Sequence, residues 1–197
     1  MRISCTGFAR LQDPSGRFAL LVNAGRLKRG HGRLLSPIGG AFDAQPDEIE
    51  HISRTLGAYD FEQGSDLRFR VDDARVEDVV EWFGRREQRE TTVLRELTEE
   101  LVDETRILQA RDLHTVREAF RRFVRYDSVT IRDVPEKRTA YLIETFDVRI
   151  PRGAMRKLLS ASAVEQPHIY FAHADEIRRC EMDDGTKIGE ITKKILA

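Results

Sequence analysis

Residues 95–104, RELTEELVDE, hold five acidic side chains in ten positions. The pattern predicts an acidic helix over about 88–105, and on an α-helix positions i, i+3 and i+4 share a face. Glu96, Glu99 and Glu100 have that spacing, with Asp103 one further turn along. Their mean direction lies about 110° from that of Val93, Leu94, Leu97 and Leu101. Such a helix can bury its leucine side and turn three carboxylates towards a cleft. Massed carboxylates repel one another unless cations neutralise them, and hard oxygen donors suit Mg²⁺ or Mn²⁺. Arg95 can pair with a glutamate and hold it in place. The same residues also fit a solvated face with Arg and Lys partners, and spacing alone leaves both readings open.

The elements around this helix are read from turns and periodicity. After the turn signal Asp13-Pro14-Ser15-Gly16, residues 17–24, RFALLVNA, form a compact apolar run and read as a buried strand. The basic stretch GRLKRGHGR (25–33) leads into LLSPIGGAF (34–42), a short strand whose paired glycines permit positive φ and close backbone approach. PDEIEHISRTL (46–56) has an early proline, acids in its first turn and Gly57 at its end, and reads as a helix. DLRFRV (66–71) alternates like a strand, and Asp72 or Asp73 can cap a helix running through VEDVVEWF to Gly84. Residues 116–132 stay ambiguous: Phe120 and Phe123 fit a helix, whereas VTIR (129–132) fits a strand. The clearest strand is TAYLIETFDVRI (139–150). A short helix (153–160), a strand IYFAH (169–173), the segment ADEIRR (174–179) and a final helix after the Asp184-Gly185 turn complete the chain. Strands and helices mix without a repeated β-α unit, so the expected class is α+β with a mixed sheet in a sandwich.

Composition narrows the function. The chain has 197 residues, 40% apolar and 34% charged, which suits one globular domain over 1–197. A formal net charge of −1 argues against a dedicated nucleic-acid binder. The two cysteines, Cys5 and Cys180, form neither a disulfide framework nor a zinc site, so a reducing cytoplasm is expected. Neither has an obvious activating neighbour. The stretch MRISCTGFARLQDPSGR lacks the apolar core of a signal peptide, and no apolar run reaches membrane-spanning length.

Arg95-Glu96-Leu97-Thr98-Glu99-Glu100 matches the REUXEE core of the Nudix box, GX5EX7REUXEEXGU, and Glu87 stands where EX7R requires a glutamate. The stretch 34–40, LLSPIGG, resembles the family's lead-in to the box, and IYFAHADEI resembles its closing pattern. Two departures stand out: residues 41–86 are inserted between the glycine pair and the first box glutamate, and Val102 replaces the box glycine. An insertion of this kind, with DLRFRV, WFGRRE and RELTEELVDE, resembles the SMODS-associated Nudix domains of bacterial anti-phage cyclic-nucleotide signalling.

The resemblance implies a Nudix-like α/β/α sandwich and a Mg²⁺- or Mn²⁺-dependent hydrolase that splits a diphosphate linkage in a nucleotide derivative. It assigns Glu96, Glu99 and Glu100 as metal ligands, with Arg95 orienting a glutamate. Glu87 supports the site electrostatically, and the Gly40 carbonyl, beside Gly39, is offered to a metal. Arg26, Lys28, Arg29, His31 and Arg33 either hold phosphates or form a solvated loop. By positional analogy Glu165, in a loop before a late strand, is a candidate base; an exposed loop glutamate is the plainer alternative. In the insertion, Tyr59, Phe61, Arg68 and Trp82 are either contacts to substrate or core, as is Phe83. Two other functions remain open: a nucleotide-binding sensor with little turnover, and an effector that responds to a cyclic oligonucleotide. A homodimer is the family's common assembly.

Overall fold

A computed structural model describes residues 1–28, 30–62, 65–128 and 138–196; Arg29 and the VTIR stretch lie outside them. In chain order the regular elements are strands β1 (Arg2–Leu11) and β2 (Phe18–Val22), helix α1 (Ala24–Lys28), strand β3 (Leu35–Ala41), helix α2 (Pro46–Leu56) and strand β4 (Arg68–Arg70). They continue with α3 (Val76–Arg85), α4 (Leu94–Thr98), β5 (Arg117–Ser128), β6 (Thr139–Arg149), α5 (Arg152–Ser162), β7 (Ile169–Ala172) and α6 (Ala174–Arg179). The strands join one mixed sheet of seven in the order β5-β6-β1-β3-β2-β7, with β4 on β1. This is the expected α+β architecture. Among the described residues no helix is long and apolar enough to cross a membrane.

Contacts divide the chain into two compact units. The first comprises Met1–Gly7, Gly40–Thr92 and Arg122–Glu144. Its β1 and β4 run antiparallel, pairing Ile3 with Phe69. Helix α2 forms as its punctuation dictates, from Pro46 to a left-handed Gly57 (φ 68°) whose N–H closes on the Ser53 carbonyl. Helix α3 buries Val76, Val79, Trp82 and Phe83, one side of three turns, and stops at left-handed Arg86. Trp82 and Phe83 are therefore core. Neither Asp72 nor Asp73 caps α3, because a 3₁₀ turn, Asp73–Arg75, intervenes and Asp72 makes no side-chain cap bond. Arg89 is fully buried against fully buried Glu144 at 2.6 Å. Its guanidinium lies 3.8 Å from the Phe83 ring centroid and 5.3 Å from that of Phe42. A cleft of about 340 Å³ in this unit is lined by Trp82, but its arginines are already paired, Arg75 with Asp78 at 3.0 Å and Arg85 with Glu81 at 2.9 Å.

The second unit comprises Phe8–Gly39, Val93–Arg121 and Thr145–Ala197. Strand β2 is buried along its whole length because it lies between β3 and β7, antiparallel to both. The turn before it is built on Asp13, whose carboxylate accepts the Ser15 and Arg17 amides and the Arg17 guanidinium, each at 2.9 Å. Burial pushes the Asp13 carboxyl up, but the Arg17 and Ser15 hydrogen bonds outweigh it and hold it below its ordinary value.

The structure fills in two segments and corrects one expectation. A long first strand, β1, occupies the N-terminal stretch where none was read. Residues 117–128, where helix and strand both stood open, form a strand. The acidic helix starts at Leu94, not near 88, and Leu94 is 39% exposed instead of sharing the buried side with Leu97 and Leu101.

Candidate functional site

The acidic motif lies wholly in the second unit. Helix α4 is five residues long and has no side-chain cap of its own. It runs directly into one turn of π-helix, Glu99–Glu104, so the segment does continue to Glu104, though not as an α-helix. Val102, standing where the family pattern has glycine, offers no left-handed stop there. The wider turn is closed by the Thr105 amide on the Glu100 carbonyl at 3.1 Å, with the Thr105 hydroxyl on the same oxygen at 2.7 Å. Val93, Leu97 and Leu101 are fully buried and fix which side of the segment faces the core.

Each glutamate of the motif has a definite partner. The Arg95 guanidinium reaches both carboxylate oxygens of Glu99 at 2.9 Å and one oxygen of Glu96 at 2.9 Å. Glu96 is 7% exposed. Glu100 turns the other way and accepts the Gly39 N–H at 2.7 Å. Gly39 can present that amide because its φ of 136° is open to glycine and strained for other residues. Burial drives the Glu100 carboxyl well above its ordinary value; the Gly39 bond opposes this, and the charges of Glu96, Glu104 and Glu99 reinforce it.

Among the described residues no three His, Cys, Asp or Glu side chains are gathered closely enough to hold a metal ion. In this arrangement Arg95 and the Gly39 amide hold the three carboxylates. Like charges separate, and Arg95 neutralises two of the three while Gly39 holds the third. The chemistry of the donor set still fits a hard divalent cation. Three carboxylates lie within one short segment, and Glu100 is an acid whose ionised form lacks a cationic partner among the described residues.

The other candidate residues are dispersed. Arg33 donates to the Pro167 carbonyl at 2.8 Å, which ties the basic stretch to the loop carrying Glu165. Glu165 itself is exposed. Arg26 is half-buried, with its amide on the Asn23 side chain at 2.9 Å, and His31 is exposed. Gly40 and Glu87 belong to the first unit, Gly40 half-buried in β3 and Glu87 exposed after α3. There too, Tyr59 is 49% exposed, Phe61 packs on Phe69 at 5.2 Å between ring centroids, and Arg68 pairs with Asp66 at 2.6 Å.

One residue that sequence reasoning missed stands at the start of α4. The Glu118 carboxylate, from β5, accepts the Val93 N–H at 3.0 Å. Nothing in the local pattern of β5 marks Glu118 out from the other charged residues of that strand.

No curated protein and no solved structure matches the chain. A family model does match, that of the SMODS-associated NUDIX domain, over residues 1–196. With its REUXEE core intact and the match running along nearly the whole sequence, the chain belongs to the SMODS-associated NUDIX domain family.

Proposed function

We propose that this domain is a Mg²⁺- or Mn²⁺-dependent hydrolase of a diphosphate linkage in a nucleotide derivative, working within an anti-phage defence system. The observation that carries the reading is the complete Arg95, Glu96, Glu99 and Glu100 set, with Glu100 fixed on the Gly39 amide. Glu96, Glu99 and Glu100 would hold the cation. When bound, the cation neutralises phosphate charge and makes its water a stronger nucleophile. Arg95 keeps Glu96 and Glu99 in register, and Gly39 orients one oxygen of Glu100 while its other oxygen makes no hydrogen bond among the described residues. Arg26 and Arg33 would draw phosphates to the site, and Glu165 would take a proton from water.

The test is incubation with a nucleotide library and Mg²⁺, with products read by mass spectrometry. Glu99→Gln and Glu100→Gln should each lower turnover by about 100-fold or more while the folded state persists. Products formed equally well by both variants, or formed in excess EDTA, would remove the carboxylates from the chemistry.

A second reading is favoured by the Arg95 pairings, which already neutralise two of the three glutamates. In that reading the domain binds a nucleotide with little turnover, or gains activity on meeting a cyclic oligonucleotide. Tight binding without products separates it from the hydrolase, and activity that appears only with the cyclic compound identifies the effector.

A further inference from the structure

Helices α2 and α3 line a cleft of about 340 Å³ that belongs wholly to the first unit. That volume is enough for a small ligand. Which ligand it suits follows from the polar groups on its walls and from how far each is already used.

Arg75 is fully engaged. Its guanidinium donates to the Thr55 carbonyl at 2.5 Å and the Leu56 carbonyl at 3.5 Å, at the end of α2, and pairs with Asp78 at 3.0 Å. The Thr55 hydroxyl is turned to the His51 carbonyl at 2.7 Å. Among the described residues, three donors on the cleft wall remain open. The Arg85 guanidinium makes a single bond, to Glu81 at 2.9 Å, and leaves its other N–H groups without acceptors. The half-buried His51 ring has no hydrogen-bond partner among the described residues. The indole N–H of Trp82, which is core and also lines the cleft, is shut off from water and has no acceptor there either. A buried donor left unpaired in this way is costly.

Glu81 is a weak holder of Arg85. The two side chains are 74% and 52% exposed and stand four residues apart on one helix, a pairing of little net strength. A dianion whose oxygens meet a guanidinium two at a time outcompetes one solvated carboxylate. The open groups are donors, so their complement is a group that presents several oxygens and negative charge. A bare oxyanion leaves much of the volume unfilled, and the buried Leu56 offers an apolar wall for a carbon skeleton.

We propose that this cleft binds a phosphate monoester, with the phosphate held by Arg85 and His51 beside the Trp82 N–H and the carbon skeleton along Leu56. Glu81 is the competitor that gives way. None of these residues belongs to the acidic motif, so the site stands whether or not the domain hydrolyses a diphosphate.

Trp82 is the chain's only tryptophan, so one indole N–H signal in a ¹H–¹⁵N spectrum reports on the cleft. The experiment titrates wild type, Arg85→Gln and Glu81→Gln with ribose 5-phosphate, with inorganic phosphate and with sodium chloride at matched ionic strength. Ribose 5-phosphate carries no diphosphate linkage. The wild-type signal should move downfield and saturate with ribose 5-phosphate, which should bind at least about 3-fold more tightly than inorganic phosphate. Arg85→Gln should weaken binding by about 10-fold or more, whereas Glu81→Gln, by removing the competing charge, should tighten it by about 2- to 5-fold. Both substituted side chains are more than half exposed, so both variants keep the fold. A signal that stays in place, or that chloride moves as far as ribose 5-phosphate does, overturns the proposal. Unchanged affinity in either variant does the same, and equal affinity for the two phosphates overturns the ester assignment.

Discussion

Gly39 shows how much a single position can carry. Its φ of 136° lets the backbone amide face the Glu100 carboxylate, and no side chain is needed for the bond. Gly39→Ala should cost about 1–3 kcal/mol in urea denaturation and weaken Mn²⁺ binding at the same time. An alanine variant with an unchanged denaturation midpoint would mean that the left-handed backbone there is unimportant. The glutamates and this glycine were legible in the sequence, because helical spacing and a Gly-Gly pair have direct geometric meanings. Glu118 was not legible, since it meets Val93 from a distant strand and its own neighbours, Arg117 and Ala119, give no hint of a partner. The pairwise fate of the carboxylates was also hidden: spacing puts charges on one face but does not say which of them an adjacent arginine will claim.

Among the elements, those with their own punctuation were read well. Helix α2 begins at its proline and ends at its glycine, and β7 falls within one residue of its expected bounds. Strand β1 escaped because it is buried over most of its length, including Ser4 and Thr6, so it shows no alternation of polar and apolar residues. The π-turn escaped because nothing in the residue types of 99–104 distinguishes a fifth-neighbour hydrogen bond from a fourth-neighbour one. The turn before β2 gives a pH prediction. The Asp13 carboxyl is held below its ordinary value in the folded chain, so its contribution is complete above the unfolded value near ~4 and lost as pH falls through the folded one. Asp13→Asn should therefore flatten the acid limb of stability against pH below about 4 and leave the slope at neutral pH unchanged. An unaltered acid limb would assign that sensitivity to other groups.

At the scale of the whole molecule, the chain is organised as two compact units, and residues 41–86 supply much of the first one's core, including Phe42, Leu67, Phe69 and Phe83. Their apolar content was visible in the sequence; the ion pair set among them was not. Arg89 and Glu144 lie far apart in the chain and meet fully buried at 2.6 Å, with Arg86 also on Glu144 at 3.0 Å. Removing one partner strands the other, so Arg89→Met or Glu144→Leu alone should cost about 3–5 kcal/mol, and the double variant should regain most of it. Additive losses in the double variant would show that the two charges do not depend on each other. Cys5 lies in the same unit, fully buried, with its thiol pushed well above the usual range by burial, whereas Cys180, in the second unit, is half-buried. A maleimide should therefore modify the native protein once, at Cys180, and reach Cys5 only through transient openings of β1. The rate of that second modification, followed by intact mass, makes Cys5 a built-in clock for how often the first unit breathes. A Cys5 that reacts as fast as Cys180 would mean that β1 is not closed in solution.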